Sequence, residues 1–196
     1  MTMRVVAGFQ KGRRLKQPTG RGLRPTSARV KEALFSIIAE RLTNANVLDL
    51  YAGTGALGLE ALSRGARKVI FVENQPTSIQ ILRENIALCE LMHNSTIIDQ
   101  DVTEYLSADF PRRDDHPFDL VFADPPYEVS DLEPLLKKLD TCDKLASHGL
   151  VVVEHFKKTS LPVTTGRLHQ TRQARYGDTI LTFYKLFLPL KDDSCG

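Results

Sequence analysis

Val47-Leu48-Asp49-Leu50-Tyr51-Ala52-Gly53-Thr54-Gly55-Ala56-Leu57-Gly58 is the stretch on which the fold turns. Val47 to Leu50 makes a short buried strand, Tyr51 to Gly55 a glycine-rich turn, and Ala56 to Arg64 a helix closed by Gly65. Glycine lets a backbone turn tightly and approach a ligand with no Cβ in the way. Gly53, Gly55 and Gly58 satisfy the GxGxxG spacing of dinucleotide loops, so a nicotinamide cofactor has to be weighed. Asp49, four residues before Gly53, is less usual in such a loop. A carboxylate there anchors the turn or meets a cationic ligand end, such as the amino group of a methionine moiety.

Downstream the strand–helix alternation continues. Lys68 to Glu73 reads as a second buried strand, and Asn74 or Gln75 opens a helix with Pro76 in its first turn and Ile79, Leu82, Ile86 and Leu88 on its apolar face. Thr96 to Ile98 is a third strand, Val102 to Leu106 a short helix, Phe118 to Ala123 a fourth strand, Leu132 to Leu139 a helix and Leu150 to Glu154 a fifth strand. Arg167 to Arg175 and Thr179 to Leu186 flank Tyr176-Gly177-Asp178, whose turn chemistry favours a hairpin. Buried strands alternating with helices imply an α/β, doubly wound, mostly parallel sheet with helices on both faces and an antiparallel C-terminal hairpin.

Upstream, Val5 to Phe9 is short and apolar, and Lys11 to Arg24 reads as an extended or hairpin arm ending at Pro25. Thr26 or Ser27 can cap a helix whose face is Val30, Ala33, Leu34, Ile37 and Ile38. The expected organisation is an N-terminal arm and helix over 1–42, a body over 43–188 and a disordered tail over 189–196. Net charge is only +2, yet Arg4, Lys11, Arg13, Arg14, Lys16, Arg21, Arg24, Arg29 and Lys31 all precede the first acidic residue, Glu32. Such a block suits either a phosphate-facing arm or a solvated basic tail. Three dispersed cysteines argue against disulfides and against a metal site. The absence of a long apolar run argues against a membrane span, and a cytoplasmic protein is expected.

In a doubly wound sheet, ligands bind beyond the carboxyl ends of the strands. Glu73, ending the second strand, can accept both hydroxyls of a ribose, which suits NAD and S-adenosylmethionine alike. Asp101 can accept an adenine amino group, with Val102 offering its N–H, or simply cap the helix that starts there. The most specific signal is Asp124-Pro125-Pro126-Tyr127 at the end of the fourth strand. Two prolines fix the backbone, remove two N–H donors and hold carbonyls outward as acceptors. Acceptors beside an aromatic plate fit a planar group bearing an NH₂. Hydrogen bonds from such an amine to Asp124 and the Pro125 carbonyl would favour a pyramidal nitrogen whose lone pair faces a sulfonium methyl. Tyr127 would stack on a base that has left its own stack.

These residues resemble class I S-adenosylmethionine methyltransferases with an (N/D)PPY motif. Arg24-Pro25-Thr26, Arg29 to Phe35, Val47 to Gly53, Gly55 to Ala66 and Phe118 to Tyr127 are similar to the RsmD family, with the likeness running from about Arg4 to Leu186. The resemblance implies a Rossmann-like methyltransferase that methylates N2 of a guanine in 16S rRNA, with the small ribosomal subunit as partner; a monomer is expected. It implies cofactor contacts at Asp49, Tyr51, Ala52, Gly53, Gly55, Glu73, Asn74, Asp101, Val102 and Asp124, and target-base contacts at Asp124, Pro125, Pro126 and Tyr127. Arg13, Arg14, Lys16, Arg21, Arg24 and Arg29 are the candidate RNA contacts. Ala28 stands where the family often has Asp, so any role of that carboxylate is lost or moved. Competing readings are an enzyme acting on adenine N6, cytosine N4 or a protein glutamine, an NAD-dependent oxidoreductase, and an RNA-binding protein without catalysis.

Overall fold

The computed structural model describes residues 3–18, 28–108, 116–126, 129 and 131–187. Arg21, Arg24, the capping candidates Thr26 and Ser27, Tyr127 and the tail from Leu190 lie outside the described residues.

After a first helix, α1 (Ala28–Ile37), strands and helices alternate. They run β1 (Asn46–Leu50), α2 (Ala56–Ser63), β2 (Lys68–Glu73), α3 (Pro76–Leu88), β3 (Ser95–Asp99), α4 (Val102–Ser107), β4 (Phe118–Ala123), α5 (Glu133–Thr141) and β5 (Leu145–Phe156). A two-residue β6 (Thr164–Thr165) precedes the hairpin β7 (Leu168–Tyr176) and β8 (Thr179–Leu186). The strand order is β3-β2-β1-β4-β5-β8-β7-β6. β1 to β5 are mutually parallel, and β8 pairs antiparallel with β5. The expected elements are all present, but two strands differ from expectation. β5 starts at Leu145 rather than Leu150, because Leu145 pairs with Phe118 before a register irregularity. β6 was not foreseen, since two residues carry no periodicity.

Alternation splits the apolar strand residues between two cores. Val47, Phe71, Phe122 and Val152 pack with Leu34 and Phe35 of α1, Leu59 of α2 and Leu82 of α3. Leu48, Val72, Val121 and Val151 pack on the other face with Leu106 of α4 and Leu136 and Leu139 of α5. Gly58 is a packing requirement: a Cβ there would lie 2.3 Å from Phe71 Cε1 and 2.8 Å from Val69 Cγ1.

The basic arm is a hairpin, placed earlier than its charge pattern suggested. Val5 N donates to Arg13 O (3.0 Å), Gly12 N to Val5 O (2.9 Å) and Leu15 N to Met3 O (2.9 Å). Val5 and Leu15 are buried, which fixes this pairing around two apolar anchors, and the stretch from 19 to Arg24 lies outside the described residues. The hairpin lies along α2. Phe9 N donates to Ser63 O (2.8 Å), and Val6 N and Ala7 N donate to the Glu60 carboxylate (2.8 and 3.0 Å). Glu60 is fully buried and also pairs with Lys31 (3.0 Å) and Arg64 (2.8 Å).

Candidate active site

Register brings the two motif segments together. Leu50 at the end of β1 is the Cα partner of both Val72 in β2 and Ala123 in β4. The glycine turn and Asp124-Pro125 therefore leave adjacent strands at the same level. β1 and β4 are the strands from which the chain winds outward in opposite directions, which is where a crevice forms in such sheets.

The turn takes three left-handed residues in five: Tyr51 (φ 56), Gly53 (φ 54) and Gly55 (φ 80). Tyr51 is unusual, since a bulky side chain is strained there. Gly55 is also tight, because a Cβ would meet Leu82 Cδ1 at 2.4 Å. Gly53 differs: a Cβ there would meet nothing closer than Tyr51 O at 3.9 Å. Of the three motif glycines, Gly55 and Gly58 are pressed against the protein and Gly53 faces open space.

Asp49 is 2% exposed, and its Oδ2 accepts the Gly58 N–H of α2 at 2.9 Å. Of the two roles open to it, the loop anchor is the one seen. Burial, with Asp124 and Glu73 close by and the Gly58 N–H opposing, pushes its carboxyl up to about 8. Three carboxylates thus converge where the turn leaves the sheet.

Glu73 accepts Gly53 N (2.7 Å) on one oxygen and Asn74 N and Gln75 N (both 2.9 Å) on the other. It clasps the turn and the start of α3 together. Three of roughly four lone-pair positions of a carboxylate are engaged this way. Asp101 is the N-cap of α4, its Oδ1 accepting Thr103 N (2.7 Å) and Glu104 N (3.3 Å). Tyr51 is half-buried, and burial together with the Asp101 charge raises its hydroxyl pKa. Asp101 therefore stands at the turn as well as on its helix. Ala52 and Val102 are buried, and Asn74 is exposed.

Pro125 is buried and Pro126 exposed. The Pro126 carbonyl accepts Val129 N at 2.9 Å. Among the candidate RNA contacts, Arg13, Arg14, Lys16 and Arg29 are exposed. Arg13 pairs with Glu90 (2.7 Å) and Lys16 with Glu84 (2.9 Å).

Sequence reasoning passed over Asn85 and Glu60, and counted Lys31 with the basic block although it is buried against Glu60. Each is a buried polar residue among apolar ones: Asn85 beside Leu82 and Ile86, Glu60 within Leu59-Glu60-Ala61-Leu62, and Lys31 one turn from Leu34 and Phe35. A polar residue on an apolar helix face was the available signal.

A parallel sheet in this order, with a glycine turn after β1, an acid ending β2 and Asp-Pro-Pro after β4, defines a Rossmann-like methyltransferase fold. The chain belongs to the family of ribosomal RNA small subunit methyltransferase D, whose model, described as "Conserved hypothetical protein 95", matches residues 3–185. The Escherichia coli (strain K12) ribosomal RNA small subunit methyltransferase D is 32% identical over 93% of this chain and 89% of its own. The Haemophilus influenzae protein of the same name is 36% identical over 81% of each chain. A Bacillus subtilis (strain 168) protein, YlbH, provisionally named an rRNA methyltransferase, is 39% identical over 93% of this chain and 98% of its own. Among solved structures, Escherichia coli yhhF, provisionally titled a methyltransferase, superposes with a TM-score of 0.82 at 32% identity over 95% and 98% of the two chains.

Proposed function

We propose that the chain transfers a methyl group from S-adenosylmethionine to the exocyclic N2 of a guanine in 16S rRNA of the small ribosomal subunit, leaving S-adenosylhomocysteine. The observation that carries this reading is the convergence of Asp49, Glu73 and Asp124 beside a turn whose one unobstructed glycine is Gly53. Three carboxyl groups, of which Asp49 gives up its proton when a cation arrives, suit a ligand with a sulfonium and an ammonium. They oppose the pyrophosphate of a dinucleotide, which argues against the oxidoreductase reading. Asp49 and the Gly53 turn would hold the methionine end, Glu73 the ribose, and Asp101 with Val102 the adenine. S-adenosylmethionine supplies an electrophilic methyl group.

The chain's own contribution is orientation and charge. An exocyclic amine is a poor nucleophile because its lone pair is delocalised into the ring. The Asp124 carboxylate and the Pro125 carbonyl would accept its two N–H bonds and turn the lone pair outward. Asp124 would stabilise the positive charge that develops on the nitrogen as it is methylated, and the N–H proton given up would pass to water. Tyr127 would stack on the extruded base. The choice of small-subunit rRNA rests on the relatives' names, and that of guanine N2 on the family resemblance. An rRNA substrate fits a cytoplasmic protein, and among the described residues no helix is long and apolar enough to cross a membrane.

The test is nucleoside mass spectrometry of 16S rRNA from a strain lacking the gene. One N2-methylguanosine should be missing and return with the gene. An unchanged N2-methylguanosine content would overturn the proposal, and loss of an N6-methyladenosine or N4-methylcytidine would redirect it to another amine.

A further inference from the structure

Asn85 is fully buried on α3 and uses its whole amide. Its Oδ1 accepts Lys16 N at 2.7 Å, and its Nδ2 donates to Lys16 O (3.1 Å) and to Thr54 O (2.9 Å). The orientation is dictated by these partners, since a flipped amide would set its oxygen against two carbonyls and its NH₂ against an N–H. One side chain thus grips both backbone groups of Lys16, as a neighbouring strand would, and holds the residue between Gly53 and Gly55. A second contact joins the same two places: Thr54 Oγ1 donates to Met3 Sδ at 3.5 Å. Met3 and Leu15 are hydrogen-bonded across the hairpin, so one limb reaches Thr54 through Met3 and the other through Lys16 and Asn85. Gly55 is pressed on Leu82 one turn earlier in α3, so the glycine turn has little freedom to move without the hairpin.

We propose that Asn85 is a positioning residue that joins the glycine turn to the N-terminal hairpin, so that a cofactor seated at the turn stiffens the arm carrying Arg13, Arg14 and Lys16. The inference rests on the cofactor reading given above. Ordering one partner of a hydrogen-bonded pair reduces the entropy cost of ordering the other. Linkage is reciprocal, so whatever grips the arm must tighten cofactor binding by the same factor.

The test is amide hydrogen exchange with and without S-adenosylhomocysteine, in the full chain. In the wild type, the ligand should slow exchange in the turn, residues 52–58, and also at Gly12, Leu15 and Lys16. A coupling of ordinary size corresponds to about fivefold or more at the arm amides. In Asn85→Leu, and in Asn85→Ser should the first variant not fold, protection of the turn should persist while the arm amides stop responding. A merely structural Asn85 would lower protection everywhere without separating the two. A wild-type arm that ignores the ligand while the turn is protected would overturn the coupling, as would an arm response surviving both substitutions. Absence of protection at the turn itself would instead overturn the cofactor reading on which the coupling rests.

Discussion

Asp49 sets the electrostatics of the turn. Its carboxyl titrates at about 8 in the folded chain, against an ordinary 3.8. The folded state therefore holds a proton that the unfolded state releases between those values. Stability should fall as pH rises from 3.8 to about 8 and level off beyond. A cationic ligand reverses the preference, so S-adenosylmethionine should bind more tightly as pH rises towards about 8, with release of a proton. Asp49→Asn keeps an oxygen for the Gly58 N–H but cannot ionise. It is expected to flatten both slopes, read by urea unfolding and by calorimetric titration across a pH series. Asp124 differs in kind. Asp124→Ala should cut methyl transfer by about two orders of magnitude or more while cofactor binding survives. Loss of binding in step with transfer would move Asp124 from the amine to the cofactor. These acids were legible because carboxylates at the ends of buried strands are conspicuous in sequence. The positive φ of Tyr51 was not, since nothing in a tyrosine announces a conformation that its side chain disfavours. In sequence, Asp101 suits an adenine acceptor and a helix cap equally. Its cap is seen, and its charge reaches Tyr51, because a strand-end residue that starts a helix serves both neighbours.

Among elements, the contact of hairpin with α2 and α1 was the least legible. The strands and helices of the body follow local periodicity. The hairpin's pairing depends instead on Val5 and Leu15 reaching a core built from residues far along the chain. Glu60 is its buried centre. Burial pushes its carboxyl up, but the Lys31 ammonium, the Val6 N–H and Arg64 outweigh that and hold it below the usual range. Its stabilising contribution is thus present above the unfolded value of 4.5 and lost as pH falls through the lower folded one. Glu60→Ala would leave Lys31, with a side chain only 4% exposed, without its anion and two hairpin N–H groups without their acceptor. Breaking a buried pair this way costs about 3–5 kcal/mol. Urea unfolding should show that loss, and amide exchange should speed at Val6 and Ala7 more than in β1. Equal exchange at both places would mean that Glu60 supports the body rather than the hairpin.

At the scale of the molecule, two charged regions adjoin among the described residues: carboxyl groups at the mouth of the sheet, and cations along the hairpin that runs from that mouth to the far end of α2. Two of those cations are held by acids of α3 and the segment after it, Arg13 by Glu90 and Lys16 by Glu84, in exposed pairs. Exposed pairs hold weakly, so a phosphate can take the cation, but the acid left behind opposes it. Each phosphate neutralised contributes about 0.9 to the slope of log K against log salt on duplex and about 0.7 on single strands. Arg14→Gln should therefore weaken binding to unmethylated small subunits and reduce the slope by about one. Glu84→Gln and Glu90→Gln should act in the opposite direction, tightening binding at low salt because Lys16 and Arg13 no longer have to leave a partner. Filter-binding titrations over a salt series separate the cases. An arm that meets phosphate moves in opposite directions for the arginine and glutamate substitutions. An arm that only covers α2 leaves all three slopes where they were.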